Sequence, residues 1–183
     1  MKHILLINGH QWYPHSKGEL NQTIFEWMKD YLKPKFELTT TIVDQGYEVE
    51  AERKKFLDAD VVIYQTPIFW FSLPGSFKLY FDQVLNRGTF FDKGEGYGQG
   101  GLLTNKYYML STTWSAPFEE FANRNGFFGE RDIEDVLAPF HYMHDFIGMK
   151  PLKGISIHSV FKELQLDDYK KKLQTHLTEL FHL

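Results

Sequence analysis

Residues 61–85, VVIYQTPIFWFSLPGSFKLYFDQVL, constrain the fold more than any other stretch, because a strand apolar on both faces runs into an aromatic loop and then a helix. Residues 61–64 read as a parallel strand buried on both sides. Pro67 ends it, since a residue without a backbone N–H and with a fixed φ cannot continue a central ladder. Ile68, Phe69, Trp70 and Phe71 then stand in a row before Ser72, Leu73 and Pro74 set up the next helix. So much aromatic surface needs a partner: core, another subunit or a flat ligand. Its place at the carboxyl end of a strand favours the ligand.

The rest of the chain repeats the unit. Strands are expected at residues 3–8, 36–43, 106–113 and 154–161, and helices at 19–32, 49–57, 133–147 (closed by Gly148) and 168–181, with a short turn at 119–121. Strands alternating with helices predict an α/β domain with a parallel sheet covered on both faces. Five strands suit the doubly wound flavodoxin-like order 2-1-3-4-5. A length of 183 residues and 43% hydrophobic content fit one domain spanning residues 1–183.

Composition removes several chemistries. A net charge of −4 without a basic block gives no footprint for nucleic acid or an anionic membrane surface. With no cysteine, disulfides, thiolate nucleophiles and iron–sulfur sites are excluded. No run of ~18 apolar residues predicts a membrane span, and the N-terminus lacks a signal-peptide pattern, so a soluble cytoplasmic protein is expected. There is no Walker loop and no G-x-S-x-G elbow. Residues 96–101 satisfy G-x-G-x-x-G literally but precede a strand instead of following one, so they read as a flexible lid from which Tyr97 can reach a ligand. His141, His144 and Asp145 lie on one helix without a further ligand set, so no metal site is assigned.

In a doubly wound sheet the ligand sits past the carboxyl ends of the strands. The loops of residues 9–18, 66–73 and 113–118 emerge there. The first brings His10, His15, Ser16 and Lys17 to a helix start, where free N–H groups and the positive dipole end favour a phosphate. Ser16 and Glu19 also satisfy an S-x-x-E capping box, and both readings stay open. The other loops bring Phe69, Trp70, Phe71 and Trp114 together with Thr113, Ser115 and backbone amides, a mixture suited to packing an isoalloxazine ring and bonding its polar edge.

Taken in order, LLINGH, HSKGELNQT, DVVIYQTPIFWFSLPGSFKLYFDQV, YGQGGLL, KYYMLSTTWSAPFEEF and PFHYMHDFIGMKPL resemble the modulator of drug activity B proteins, FAD-containing NAD(P)H:quinone reductases of the flavodoxin-like group. The resemblance implies that Ser16, Lys17, Gly18, Leu20, Asn21 and Thr23 bind the FAD phosphates. It implies that Pro67, Ile68, Phe69, Trp70 and Phe71 lie against the flavin, and that Thr113, Trp114, Ser115 and Ala116 contact its polar edge, with Tyr97 nearby. Where the family has a glycine after the loop proline, this chain has Ile68 and then Phe69. The loops alone accept FAD or FMN; FAD follows from the resemblance.

The implied reaction is a ping-pong two-electron transfer from NADPH or NADH to a quinone, or to azo or nitroaromatic acceptors, in oxidative-stress defence. Catalytic proton donors are sought at His141 or Tyr142, reaching the site across a homodimer, with Tyr108 assigned to the strand core. Phe127, Phe128, Phe140 and Phe146 are candidates for the dimer interface or for the core. The alternatives are a regulatory subunit docking on a potassium-efflux transporter and a flavodoxin-type electron carrier. The modest charge and closing aromatic loop argue against the carrier.

Overall fold

In the computed structural model, which describes residues 1–162 and 164–183, the strongest signals become the centre of the sheet. β1 (His3–Asn8) and β3 (Val61–Pro67) pair in parallel, Ile4 opposite Val61 through Asn8 opposite Gln65. All seven residues of β3 are buried, which is why its sequence does not alternate. β2 (Glu37–Ile42) covers the outer side of β1, and its threonines suit a half-exposed edge strand. β4 (Tyr107–Thr113) lies on the other side of β3, giving the order β2-β1-β3-β4-β5.

The fifth position departs from the single strand expected at residues 154–161. It consists of two pieces, β5 (Lys150–Pro151) and β6 (Ile155–Ile157), both parallel to β4. Tyr108 faces Pro151 and Ser111 faces Ile155, so four steps on one strand match three on the other. The extra residue makes a bulge, and Gly154 fits there because a Cβ would sit 3.0 Å from the Leu110 carbonyl oxygen. Residues 158–161 leave the sheet, with Ser159 at φ 54 turning the chain.

Side chains of alternate strand residues meet different helices. Leu5, Ile7, Val62 and Tyr64 pack with Phe56 of α2 (Val49–Asp58), Phe77 and Phe81 of α3 (Gly75–Val84), and Phe140 of α5 (Ala138–Ile147). Ile4, Leu6, Val61 and Ile63 pack with Ile24 and Met28 of α1 (Glu19–Leu32) and Leu173 of α6 (Leu166–Phe181). The helix expected at residues 133–147 is two helices. α4 (Ile133–Val136) carries an Asp132/Asp135 capping box, and the chain breaks at Leu137 because Pro139 restarts the helix without an amide of its own. Gly148, at φ 89, closes α5 as expected. The expected turn at 119–121 is a 3₁₀ turn at Phe118–Glu120. Phe128 and Phe140 belong to the core, whereas Phe127 is exposed. Among the described residues no helix is long and apolar enough to cross a membrane.

Gly9 is where β1 turns into the first loop, its amide bonded to the Gln65 carbonyl at 2.9 Å. A Cβ there would lie 2.1 Å from the buried Phe77 ring. Gly9→Ala should therefore destabilise the fold by about 1–3 kcal/mol through overpacking. Urea denaturation checks this; an unchanged midpoint would show that Phe77 yields freely.

Candidate functional site

A cleft of ≈ 950 Å³ opens past the carboxyl ends of β1, β3 and β4. Its base is a chain of buried polar side chains. The Ser111 hydroxyl donates to Gln65 Oε1 at 2.6 Å, Gln65 Nε2 donates to Asn21 Oδ1 at 2.7 Å, and Asn21 Nδ2 donates to Thr113 Oγ1 at 3.2 Å. These bonds fix the first turn of α1 against the ends of β3 and β4. Burial without such partners would be costly.

One wall is the loop into α1. Tyr13 and Ser16 exchange two backbone hydrogen bonds at 3.0 Å, so Pro14 and His15 form the tip of a tight turn. The Ser16 capping box does not form: Gly18 is the N-cap and no side chain caps the helix. Gly18 stands at φ 82, and a Cβ there would lie 2.0 Å from the His10 ring. Both facts require glycine. His10 is only 7% exposed, and among the described residues neither ring nitrogen has a hydrogen-bond partner. Burial lowers its pKa, while Asp44 and the nearby Ser16 and Lys17 backbone act in the opposite sense. The α1 ladder begins with the Gln22 amide on the Gly18 carbonyl, so the amides of Glu19, Leu20 and Asn21 are left as donors at the positive end of the helix.

The facing wall is aromatic. Phe69 and Ser72 exchange backbone bonds of 2.8 and 3.0 Å around Trp70 and Phe71, which sit at φ 49 and 63. Two bulky residues in the left-handed region cost about 1 kcal/mol or more each. Trp70 is 93% exposed, while Phe71 stacks on Phe127 with ring centroids 5.5 Å apart. Across the cleft, the Trp114 indole donates to Thr112 Oγ1 at 2.8 Å, and among the described residues the amides of Ser115 and Ala116 donate to no protein acceptor.

Of the residues expected from sequence, the cleft brings together Ser16, Gly18, Leu20, Asn21, Pro67, Ile68, Phe69, Trp70, Phe71, Thr113, Trp114, Ser115 and Ala116. Lys17 and Thr23 are outside its lining, and the Thr23 hydroxyl donates to the Glu19 carbonyl within α1 at 2.8 Å. Tyr97, 98% exposed, packs near Phe146 over a separate shallow depression with Arg87 and Phe91. His141 binds Tyr108 Oη through Nδ1 at 2.6 Å, with Nε2 2.7 Å from the Glu134 carboxylate. Tyr108 precedes Thr113 by five strand residues, about 16 Å. Within one chain, His141 and the exposed Tyr142 are therefore not part of the cleft. His144 is committed to the Tyr64 hydroxyl (2.8 Å) and the Phe140 carbonyl (2.9 Å), and burial drives its pKa down to about 3.

Sequence reasoning missed Tyr13, Glu19, Phe128, Val160 and Phe161 as lining residues. The Y-P-H-S turn was a readable signal for Tyr13. Phe161 and Val160 reach the cleft only because the chain leaves the sheet after β6, which no local pattern announces.

The family description "Flavodoxin-like fold" matches residues 2–178. The chain is 38% identical, over an alignment of 189 positions, to NADPH:quinone oxidoreductase MdaB of Haemophilus influenzae, covering 97% of this chain and 98% of that protein. It is 32% identical over 117 residues to the glutathione-regulated potassium-efflux system ancillary protein KefG of Cronobacter sakazakii, covering 60% of each. The fold is shared by general stress protein 14 of Treponema denticola, solved in complex with FMN (TM-score 0.67, 17% identity, 100% of this chain and 97% of that one). The chain belongs to the flavodoxin-like family and, within it, to the NAD(P)H:quinone oxidoreductases of the modulator of drug activity B group.

Proposed function

We propose that this single-domain chain is a flavin-dependent NAD(P)H:quinone oxidoreductase working by ping-pong two-electron reduction. The observation that carries the reading is the make-up of the cleft past the carboxyl ends of β1, β3 and β4. Donor amides at the positive end of α1, exposed aromatic faces of residues 69–71 and, among the described residues, unpartnered amides at the end of β4 all line it. A dinucleotide flavin needs that combination: an anion site, a stacking surface and donors for the ring's polar edge. Bound flavin would supply the hydride and electron chemistry.

The chain's own contribution is orientation. Ser16, Gly18, Leu20 and Asn21 would hold the phosphates, with the buried His10 ring packed behind Gly18. Residues 67–71 would fix the ring plane, and the Ser115 and Ala116 amides would stabilise negative charge at its edge. Lys17 and Tyr97, assigned on resemblance, would need the loops to close or a second subunit to approach, and Thr23 would act only through its bond to the Glu19 carbonyl at the start of α1. FAD is the proposed cofactor, FMN the lesser alternative. NADPH or NADH would donate, and quinones, with azo or nitroaromatic compounds as further acceptors, would accept, in a cytoplasmic role against oxidative stress.

A homodimer is part of this reading. Trp70, Phe71, Phe127 and Phe161 leave a large apolar rim exposed on one chain, and surfaces of that kind are normally covered. Only in such a dimer would His141 or Tyr142 approach a partner's cleft as proton donors. The 32% identity to KefG favours a second reading, a subunit docking on a potassium-efflux transporter; co-purification with a membrane transporter would support it.

Three outcomes are expected. The purified protein should carry FAD, bleach anaerobically with NADPH or NADH, and regain its visible absorbance on addition of menadione; flavin-free protein that cannot be reconstituted would contradict the reading. Gly18→Ala should weaken flavin binding at least about tenfold, equivalent to ~1.4 kcal/mol, in a protein whose circular dichroism is unchanged; equal affinity would remove the phosphate loop from the account. Light scattering should give twice the chain mass, and a monomer would eliminate His141 and Tyr142 as donors.

A further inference from the structure

The segment bearing the free amides is held by the chain leaving β6, whose Val160 also lines the cleft. The Trp114 amide donates to the Ile157 carbonyl at 2.9 Å, and its carbonyl accepts from the Val160 amide at 3.1 Å. Because a trans peptide sets its C=O and N–H in opposite directions, holding the Trp114 carbonyl toward Val160 turns the Ser115 amide away from it. The far side of the loop is held at the Ala116 carbonyl. That oxygen accepts from the Ser159 amide at 3.2 Å and from His158 Nδ1 at 3.2 Å. The Ser115–Ala116 peptide is thus suspended between two anchored peptides, and the next residue, Pro117, has no amide with which to compensate.

His158 supplies the one side-chain bond in this clamp, and its ring is fixed. Nε2 lies 2.9 Å from Ser156 Oγ, the ring plane is within 8° of the Trp114 indole, and Phe118 and Phe121 approach edge-on at 5.3 and 5.4 Å. A carbonyl can only accept, so Nδ1 carries the proton and Nε2 accepts from the Ser156 hydroxyl. Burial lowers the His158 pKa and Lys172 adds to this, while the Ala116 carbonyl and Glu119 oppose it, consistent with a neutral ring.

We propose that His158 is a positioning residue: its hydrogen bond to the Ala116 carbonyl sets the Ser115 and Ala116 amides for the polar edge of the flavin. The inference rests on the flavin reading above for its ligand, but the clamp itself exists without one.

His158→Phe keeps a flat ring against Trp114 and removes both hydrogen bonds. His158→Asn gives up the ring and keeps a donor close to the place of Nδ1. Amide hydrogen exchange at Trp114, Ser159 and Val160 in flavin-free protein reads the clamp, and FAD titration by fluorescence reads its consequence. His158→Phe should raise the exchange rates severalfold and weaken FAD binding about five-fold, the worth of one net hydrogen bond; His158→Asn should bring both back toward wild type. A folded His158→Phe protein with unchanged exchange and affinity overturns the proposal, as does His158→Asn behaving no better than the phenylalanine variant. If His158→Phe fails to fold, Ser156→Ala replaces it, with faster exchange expected and unchanged exchange overturning the proposal. Wild-type protein that takes up no flavin would defeat the flavin reading, and exchange would still decide whether His158 holds the loop.

Discussion

The hydrogen bond from Gln65 to Asn21 is the interaction on which the geometry of the cleft depends. Gln65 is on β3 and Asn21 in the first turn of α1, and both are buried. Ser111 of β4 on one side and Thr113 on the other extend the chain, so two strands and one helix meet through four side chains that satisfy one another. Leaving one of these amides unpaired would cost about 1–3 kcal/mol. An apolar substitute would pack with several alignments of α1, whereas the amides accept one. The helix N-terminus, the aromatic loop and the free amides of the β4 loop consequently keep a fixed spacing.

On that rigid base the structure places components that stability alone does not favour. Trp70 and Phe71 occupy left-handed backbone at the tip of a four-residue turn, the His10 imidazole is buried against the Ser16–Lys17 backbone, and among the described residues the Ser115 and Ala116 amides donate to no protein acceptor. The left-handed backbone and the buried imidazole carry a conformational or desolvation cost, and the half-open Ser115 and Ala116 amides face the cleft margin as donors. Their gathering at one end of one sheet is hard to explain by packing.

Much of this was legible in the sequence. β1 and β3 are continuous apolar runs, alternation with helices suited the order that the sheet adopts, and the aromatic row after Pro67 lines the cleft. What failed to show was non-local. The bulge between β5 and β6 depends on how Gly154 meets Leu110, and the turn at Ser159 after β6 brings Val160 and Phe161 to the cleft. The Ser16 capping box matched its motif but does not form, because α1 starts at Glu19 with the left-handed Gly18 as N-cap, two residues past Ser16. The helix through Pro139 was read as continuous because apolar periodicity outlasted the break. Family likeness assigned Lys17, Thr23 and Tyr97 to the site, whereas the single chain keeps them outside the cleft lining.

A crystal structure of the protein grown with FAD tests the central claim most directly. The account predicts a tricyclic ring between residues 67–71 and 113–116, with its phosphates at the amides of Leu20 and Asn21. FAD bound elsewhere, or only over the depression beside Tyr97 and Phe146, would contradict it.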